Sequence, residues 1–329
     1  MSSITTTSSS APGKLMLAGS YAVVHGRPCV VTAIDQRLVV KVEKISEQKL
    51  IINAADIGVK EYEVDLDKIG SESAPKAVTF IESCLDIFQK KHPLDTGLVV
   101  TTQSDFSSKV GFGSSSAVTV AFIHALHTLF GISISKKELF NMCYQVVIAV
   151  QGVGSGFDIA AAIWGGTIKY VKPAAVIEEL NLSDEILSEH IVVCFTGQKA
   201  DTATLVKRVN KDLEREPQKI NRIFDEIGQT ADSLYQALSV QDWENAGKAL
   251  LRHQNAAAQL GVSTDKIDTL ARLAMQAGSY GASLSGAGGG DSMPIFVSKA
   301  NKQKVIAALE KEGQVIPVSF HAPGVKTEA

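Results

Sequence analysis

The stretch Lys109-Val110-Gly111-Phe112-Gly113-Ser114-Ser115-Ser116-Ala117 sets a lysine, two glycines and three serine hydroxyls directly before an apolar helical pattern, Val118 to Phe130, closed by Gly131. Glycines let a backbone turn its amide N–H groups toward a ligand. The helix that follows offers unpaired N–H groups and the positive end of its dipole, so an anion is favoured there. The hydroxyls and Lys109 add groups suited to phosphate oxygens or a magnesium ion. Phosphate binding is the chemistry suggested, though not by a Walker A loop, because the spacing GxxxxGK[ST] is absent. A Gly/Ser connector in front of a helix would read the same way over this stretch alone.

Other residue types able to do chemistry are dispersed. Cys29, Cys84, Cys143 and Cys194 lie far apart in apolar contexts with no CxxC or Cys/His spacing, which predicts buried reduced thiols. His25, His124, His127 and His253 form no metal spacing and read as packing residues. Trp164 and Trp243 read as core or helix-packing residues.

The elements that must position the loop follow from periodicity. With 329 residues and 45% hydrophobic content the chain can build two cored domains. Its net charge of −3 gives no electrostatic reason to expect nucleic acid. Met1 to Ser10, Ser/Thr-rich without a basic or apolar region, reads as a disordered tail and not a signal peptide. No apolar run approaches the ~20 residues that span a bilayer, so a soluble, cytoplasmic protein is expected. Ala11-Pro12-Gly13-Lys14 is a turn signal. Cys29 to Ala33, Arg37 to Val42, Lys49 to Asn53 and Glu61 to Val64 predict a β-rich layer. Lys76 to Lys91 has helical spacing, and Gly97 to Thr102 is a strand leading to the loop. Ser135-Lys136-Lys137-Glu138 fits a capping box and starts a helix to about Val150. That helix ends at Gln151-Gly152-Val153-Gly154-Ser155-Gly156-Phe157-Asp158.

Strands are predicted at Thr167 to Val171 and Ile191 to Phe195. From Thr204 the sequence turns charged and helical through Ala277. Ala282 to Asp291 is glycine-rich, and a strand at Met293 to Val297, a helix at Ala300 to Glu312 and a strand at Val315 to Phe320 follow. The domains are placed at 11–180 and 181–329. Short strands among long helices argue α+β, not a regular βαβ array.

Taken together, Ala11-Pro12-Gly13-Lys14, the Gly113-Ser114-Ser115 loop and Ser285-Gly286-Ala287-Gly288-Gly289-Gly290-Asp291 resemble the three ordered motifs of the GHMP kinase superfamily. The likeness runs from about Ser10 to Val297. It departs where the family's usual Gly-Leu-Gly-Ser-Ser-Ala-Ala is here Gly-Phe-Gly-Ser-Ser-Ser-Ala and lacks an upstream proline. The resemblance implies a two-domain fold, ribosomal-protein-S5-like then ferredoxin-like, with the site between the domains. It implies transfer of the ATP γ-phosphoryl group to a small-molecule oxygen, with Mg2+ as cofactor. Such chemistry is mainly positioning and charge neutralisation.

By the same resemblance Asp158 is the catalytic base, and Lys14 lies near it and the γ-phosphate. A carboxylate of ordinary acidity is a poor base toward an alcohol, and it serves when the proton leaves late and a cation assists. Lys109, Gly111, Gly113, Ser114, Ser115 and Ser116 would hold the nucleotide, with Ser115 touching the metal. Gly286, Gly288 and Gly289 would shape the transfer site against this loop. Tyr21, Ser155, Ala287 and Lys199 fall on the acceptor side.

The acceptor is less sharply indicated. Gly13 to Leu38 and Leu260-Gly261-Val262-Ser263-Thr264 resemble the mevalonate-type branch. Its usual magnesium-binding Glu is Val147 here, so the metal would rest on Ser115, phosphates and water. Gln151 to Asp158, Thr196 to Thr202 and Asp291 lean the expectation toward 5-phosphomevalonate. Lys109, Lys199 and Arg27 would supply the cations that a second phosphate needs. Mevalonate is the alternative acceptor. A catalytically silent, ligand-binding member is the second alternative, opposed by the presence of both Lys14 and Asp158. No nucleic-acid or membrane partner is expected, and a homodimer is left open.

Overall fold

The β-branched residues of Cys29–Ile45 form one long strand, β2, and the larger sheet is assembled on it. The computed structural model describes residues 5–71, 73–107, 109–172 and 176–328. One edge of β2 takes β1 (Thr6–Ala18); the other takes β5 (Gly97–Ser104) along Leu38 to Ile45 and β6 (Thr167–Val171) along Cys29 to Thr32. β3 (Lys49–Ala54) runs parallel to β5 and carries β4 (Val59–Asp65), while β7 (Val176–Glu179) pairs with β6. Helices α1 (Thr79–Lys91), α2 (Ser114–Leu129), α3 (Lys136–Gln151) and α4 (Phe157–Trp164) pack together, with α2 and α4 lying on β1 and β2. They bury Leu85, Phe88, Phe122, Leu126 and Ile163. Each such side chain contributes about 1.5–3 kcal/mol on burial.

After α5 (Asp184–His190) a second, antiparallel sheet follows. Its order is β11 (Gln314–Val315), β8 (Ile191–Phe195), β10 (Ser292–Val297), β9 (Ser279–Ala282). The helices α6 (Thr202–Arg215), α7 (Pro217–Ser239), α8 (Trp243–Gln259), α9 (Asp265–Gln276) and α10 (Lys302–Leu309) go with it: α7 packs on α8, on α6 and on β1 and β2 of the first sheet, while α8, α9 and α10 pack on this second sheet. Phe224, Ile227, Leu270, Leu284, Ile295 and Val305 form its core. Tyr21 and Ala22, from the first sheet's side, belong to this second core. The α+β expectation is met, and all four cysteines are buried and free. Among the described residues no helix is long and apolar enough to cross a membrane.

Four expectations are corrected. The supposed tail is strand from Thr6 on, because its residues pair with β2 on one side and with β12 (Lys326–Glu328) on the other; residues 1–4 lie outside the described residues. Ala11-Pro12-Gly13-Lys14 is no turn but the middle of β1. Pro12 is tolerated there because the register shifts at Pro12/Gly13, opposite extra residues of β2 between Ile34 and Arg37. The second domain is not simply 181–329, since β12 returns to the first sheet. The closing strand is short: its last bond to β8 runs from the Ile316 amide to the Val193 carbonyl, after which the Asp35 amide donates to the Ser319 carbonyl, the Ser319 amide donates to the Asp35 carboxylate, and Phe320 bridges Ile34.

Candidate functional site

The serines of the glycine loop belong to the first turn of α2, not to the loop. The earliest bond of the helix runs from the Ala117 amide to the Gly113 carbonyl at 3.0 Å, so the Ser114, Ser115 and Ser116 amides precede it. No side chain caps this end. Three N–H groups and the helix dipole therefore favour an anion here. Gly113 has φ +81°, and a Cβ there would sit 3.0 Å from Lys14 Cε. Both facts require glycine.

Lys14 joins the parts. β1 carries it past the loop, where its amide donates to the Phe112 carbonyl at 2.9 Å. Its ammonium donates to the Gly111 carbonyl at 3.0 Å and lies 3.0 Å from Asp158 Oδ1 and 5.3 Å from the Phe157 ring centre. The two side chains are 10% and 30% exposed, so this ion pair is screened far less than a surface pair. Asp158 stands in the first turn of α4, where the dipole favours a carboxylate. That helix start is fixed by the Tyr170 hydroxyl donating to the Ser155 carbonyl at 2.6 Å and the Tyr144 hydroxyl donating to the Gly154 carbonyl at 3.1 Å. Ser155 is buried and its carbonyl serves this structural bond. Beneath the pair lies Cys29, whose thiol is pushed up by burial first and then by the Asp158 carboxylate.

The third glycine stretch closes on the loop. A Cβ on Gly111 would come 2.7 Å from the Asp291 Cβ, and the Ser292 hydroxyl donates to the Val110 carbonyl at 2.8 Å. The Asp291 carboxylate accepts from the Ala200 amide at 3.0 Å, which draws in the loop carrying Lys199. The Gly289 amide donates to the Val262 carbonyl at 2.8 Å, tying in the turn before α9 and the buried Gly288 beside it. Space around Gly286 is open. The Tyr21 hydroxyl donates to the Ala287 carbonyl at 2.7 Å; burial pushes the phenol up, against the opposing Arg208 guanidinium.

Expected residues from all three stretches thus meet around Lys14. Lys109 and Lys199 are exposed at the rim. Arg27 does not join them: its guanidinium pairs with Asp225 at 2.9 Å and reaches Asn221, both on α7. Val147 is buried against Gly154 and offers no oxygen. Arg208, which donates to the Gly261 carbonyl, went unnoticed because one arginine on a charged helix carries no local signal. Among the described residues no three His, Cys, Asp or Glu side chains form a metal-holding group.

The GHMP kinases N terminal domain model matches residues 79–166, and the GHMP kinases C terminal model matches residues 234–315. The mevalonate kinase of Pyrococcus furiosus is 32% identical over 310 residues, covering 91% of this chain and 90% of its own. A crystal structure of a mevalonate kinase has a TM-score of 0.80 at 23% identity, covering 95% of this chain and 98% of that one. The Streptococcus pneumoniae phosphomevalonate kinase, in complex with phosphomevalonate and AMPPNP, has a TM-score of 0.77 at 17% identity, covering 95% and 99%. These last two likenesses concern the fold alone. The lean toward 5-phosphomevalonate gains no specific support from them, and relatives named mevalonate kinase fit the alternative better.

Proposed function

The chain belongs to the GHMP kinase family and is an ATP-dependent phosphotransferase; from that premise we propose that it phosphorylates the primary hydroxyl of mevalonate. The similarity to a kinase of that name over nine-tenths of both chains supports the acceptor. The commitment of Arg27 to α7 removes one of the cations on which a phosphorylated acceptor was argued. The observation that carries the chemistry is the Lys14 ammonium, held at 3.0 Å from both the Gly111 carbonyl of the phosphate loop and the Asp158 carboxylate.

In this reading the nucleotide phosphates lie on the first amides and hydroxyls of α2. The acceptor oxygen approaches between Asp158 and the γ-phosphorus. Its bond to phosphorus forms as the bond to the β-phosphate oxygen breaks, ADP leaves, and the hydroxyl proton passes to Asp158. Lys14 spreads its charge over the transferring group and steadies the Asp158 carboxylate. The hydroxyls of Ser114 and Ser115 and the Asp158 carboxylate are hard oxygen donors that would hold Mg2+, and the ion would supply neutralisation of phosphate charge there. On the acceptor side, Tyr21 and Ala287 would flank the substrate and Arg208 would face its carboxylate, while Lys109 and Lys199 serve phosphate at the rim.

An ADP-release assay with Mg-ATP and either acid tests the reading. Turnover with mevalonate and none with 5-phosphomevalonate is expected; the reverse preference would overturn it.

A further inference from the structure

Ser20 and Tyr21 make the turn that ends β1, and Tyr21 adopts φ +59°, a left-handed conformation that costs a residue with a Cβ about 1–2 kcal/mol. Something must hold it. At one end the Tyr21 hydroxyl reaches the Ala287 carbonyl. At the other end the Ser20 amide donates to His253 Nε2 at 3.3 Å. His253 lies on α8, in the other half of the molecule, and both residues are fully buried.

A backbone amide can only donate, so Nε2 accepts and the ring proton sits on Nδ1. Nδ1 then donates to the Ser283 hydroxyl at 2.7 Å. Ser283 donates onward to Gln254 Oε1 at 3.4 Å, which also accepts the Leu284 amide at 2.9 Å. Oε1 being the acceptor fixes the Gln254 amide, whose Nε2 donates to Ser263 at 2.9 Å and to Asp268 at 3.2 Å. Ser263 donates to Asp268 at 2.6 Å. Every proton has one place, from the Ser20 amide to a carboxylate. Along this chain lie the turn of the first glycine segment and the strand that enters the third. A second bond, from the Ser285 hydroxyl to the Met16 carbonyl at 2.9 Å, crosses the same seam.

We propose that His253 is a positioning residue for the acceptor: through its neutral, Nδ1-protonated ring it sets the Ser20–Tyr21 turn against the third glycine segment, and so fixes the closed Tyr21–Ala287 contact as one wall of the place where the acceptor is held. The acceptor half of this statement rests on the function proposed above. The nucleotide amides of α2 lie outside this chain of bonds.

Two variants separate the ring's ends. His253→Asn keeps a donor for Ser283 but cannot reach the Ser20 amide. His253→Gln restores an acceptor for Ser20 and gives up Ser283. Hydrogen exchange of the Ser20 amide and steady-state kinetics are measured on both, using whichever of mevalonate and 5-phosphomevalonate the unmodified protein phosphorylates. His253→Asn is expected to speed Ser20 exchange at least tenfold and raise the acceptor KM about tenfold, leaving the ATP KM unchanged; His253→Gln recovers most of both. Equal kinetic effects of the two variants, or parallel rises in both KM values, would reduce His253 to a packing residue. Should the unmodified protein phosphorylate neither acid, the acceptor assignment falls, and exchange alone decides: unchanged Ser20 protection in His253→Asn overturns the positioning role.

Discussion

Lys14 serves three partners with one ammonium, and that economy makes its neighbour the sharper test. Asp158→Asn keeps the size of the side chain and its hydrogen bonds but removes the charge and the proton acceptor. Turnover should fall by about 10²–10⁴-fold, the usual yield of a positioned base, with ATP affinity retained; near-full activity in the ADP-release assay would remove Asp158 from the mechanism. A second expectation concerns acid. Burial holds the His253 ring down at about 4, and burial is also the leading cause that lowers His25, His124 and His127. Below pH ~6.5 the unfolded chain binds protons on these rings that the folded chain refuses, so stability falls as pH drops. His253 alone should cost about 2 kcal/mol between pH 7 and pH 5. Urea unfolding at both values should give a shallower pH slope for His253→Asn than for the unmodified protein. Lys14 and Asp158 were legible in the sequence because each is embedded in a short motif of glycines. His253 was read there as packing, since its partners Ser20 and Ser283 are 233 and 30 residues away and no spacing rule joins them.

Elements were legible where the pattern is local. The Ser135 capping box is present in full, with Glu138 answering the cap, and α3 starts where it was expected. Strands β6 and β8 fall on the residues their β-branched runs marked. The misread elements are those set by distant partners. β1 contains the Pro-Gly pair that reads as a turn, and only the bulge in β2 lets it continue as a strand. α2 begins four residues before its apolar pattern, because its first turn is made of serines, two of them half-buried, which carry no apolar periodicity. That last element makes its own prediction. In Gly113→Ala the left-handed φ would cost about 1–2 kcal/mol of stability, and the methyl group would press on the Lys14 stem. Activity should fall further than stability, on the order of 10²-fold for a misplaced ammonium. Melting temperature and ADP release on one preparation compare the two; a loss of stability with unchanged turnover would show that the stem has room to move.

Across the whole molecule, the sequence was divided at residue 180, and the strand that crosses between the two sheets carried no local signal. β12 leaves the second half to pair with β1, matching Ser8 with Glu328 and Ser10 with Lys326. Arg37 clamps this edge through the Ser10, Pro323 and Gly324 carbonyls. Ending the chain at Gly324 should therefore lower stability by about 1–3 kcal/mol, the net worth of a few ladder bonds, with the ATP KM unchanged; an unaltered melting temperature would mean the edge needs no cover. The pairing also imposes an order in time. The strand Thr6–Ala18 is made long before residues 326–328, which pair with its Ser8 to Ser10 edge. At roughly 5–20 residues per second that interval is about 15–60 s. Through all of it the Ser8 to Ser10 edge of β1, which β12 later pairs, stands open to water, to a neighbouring chain or to a chaperone, while farther along the same strand the Lys14 amide is held by the Phe112 carbonyl.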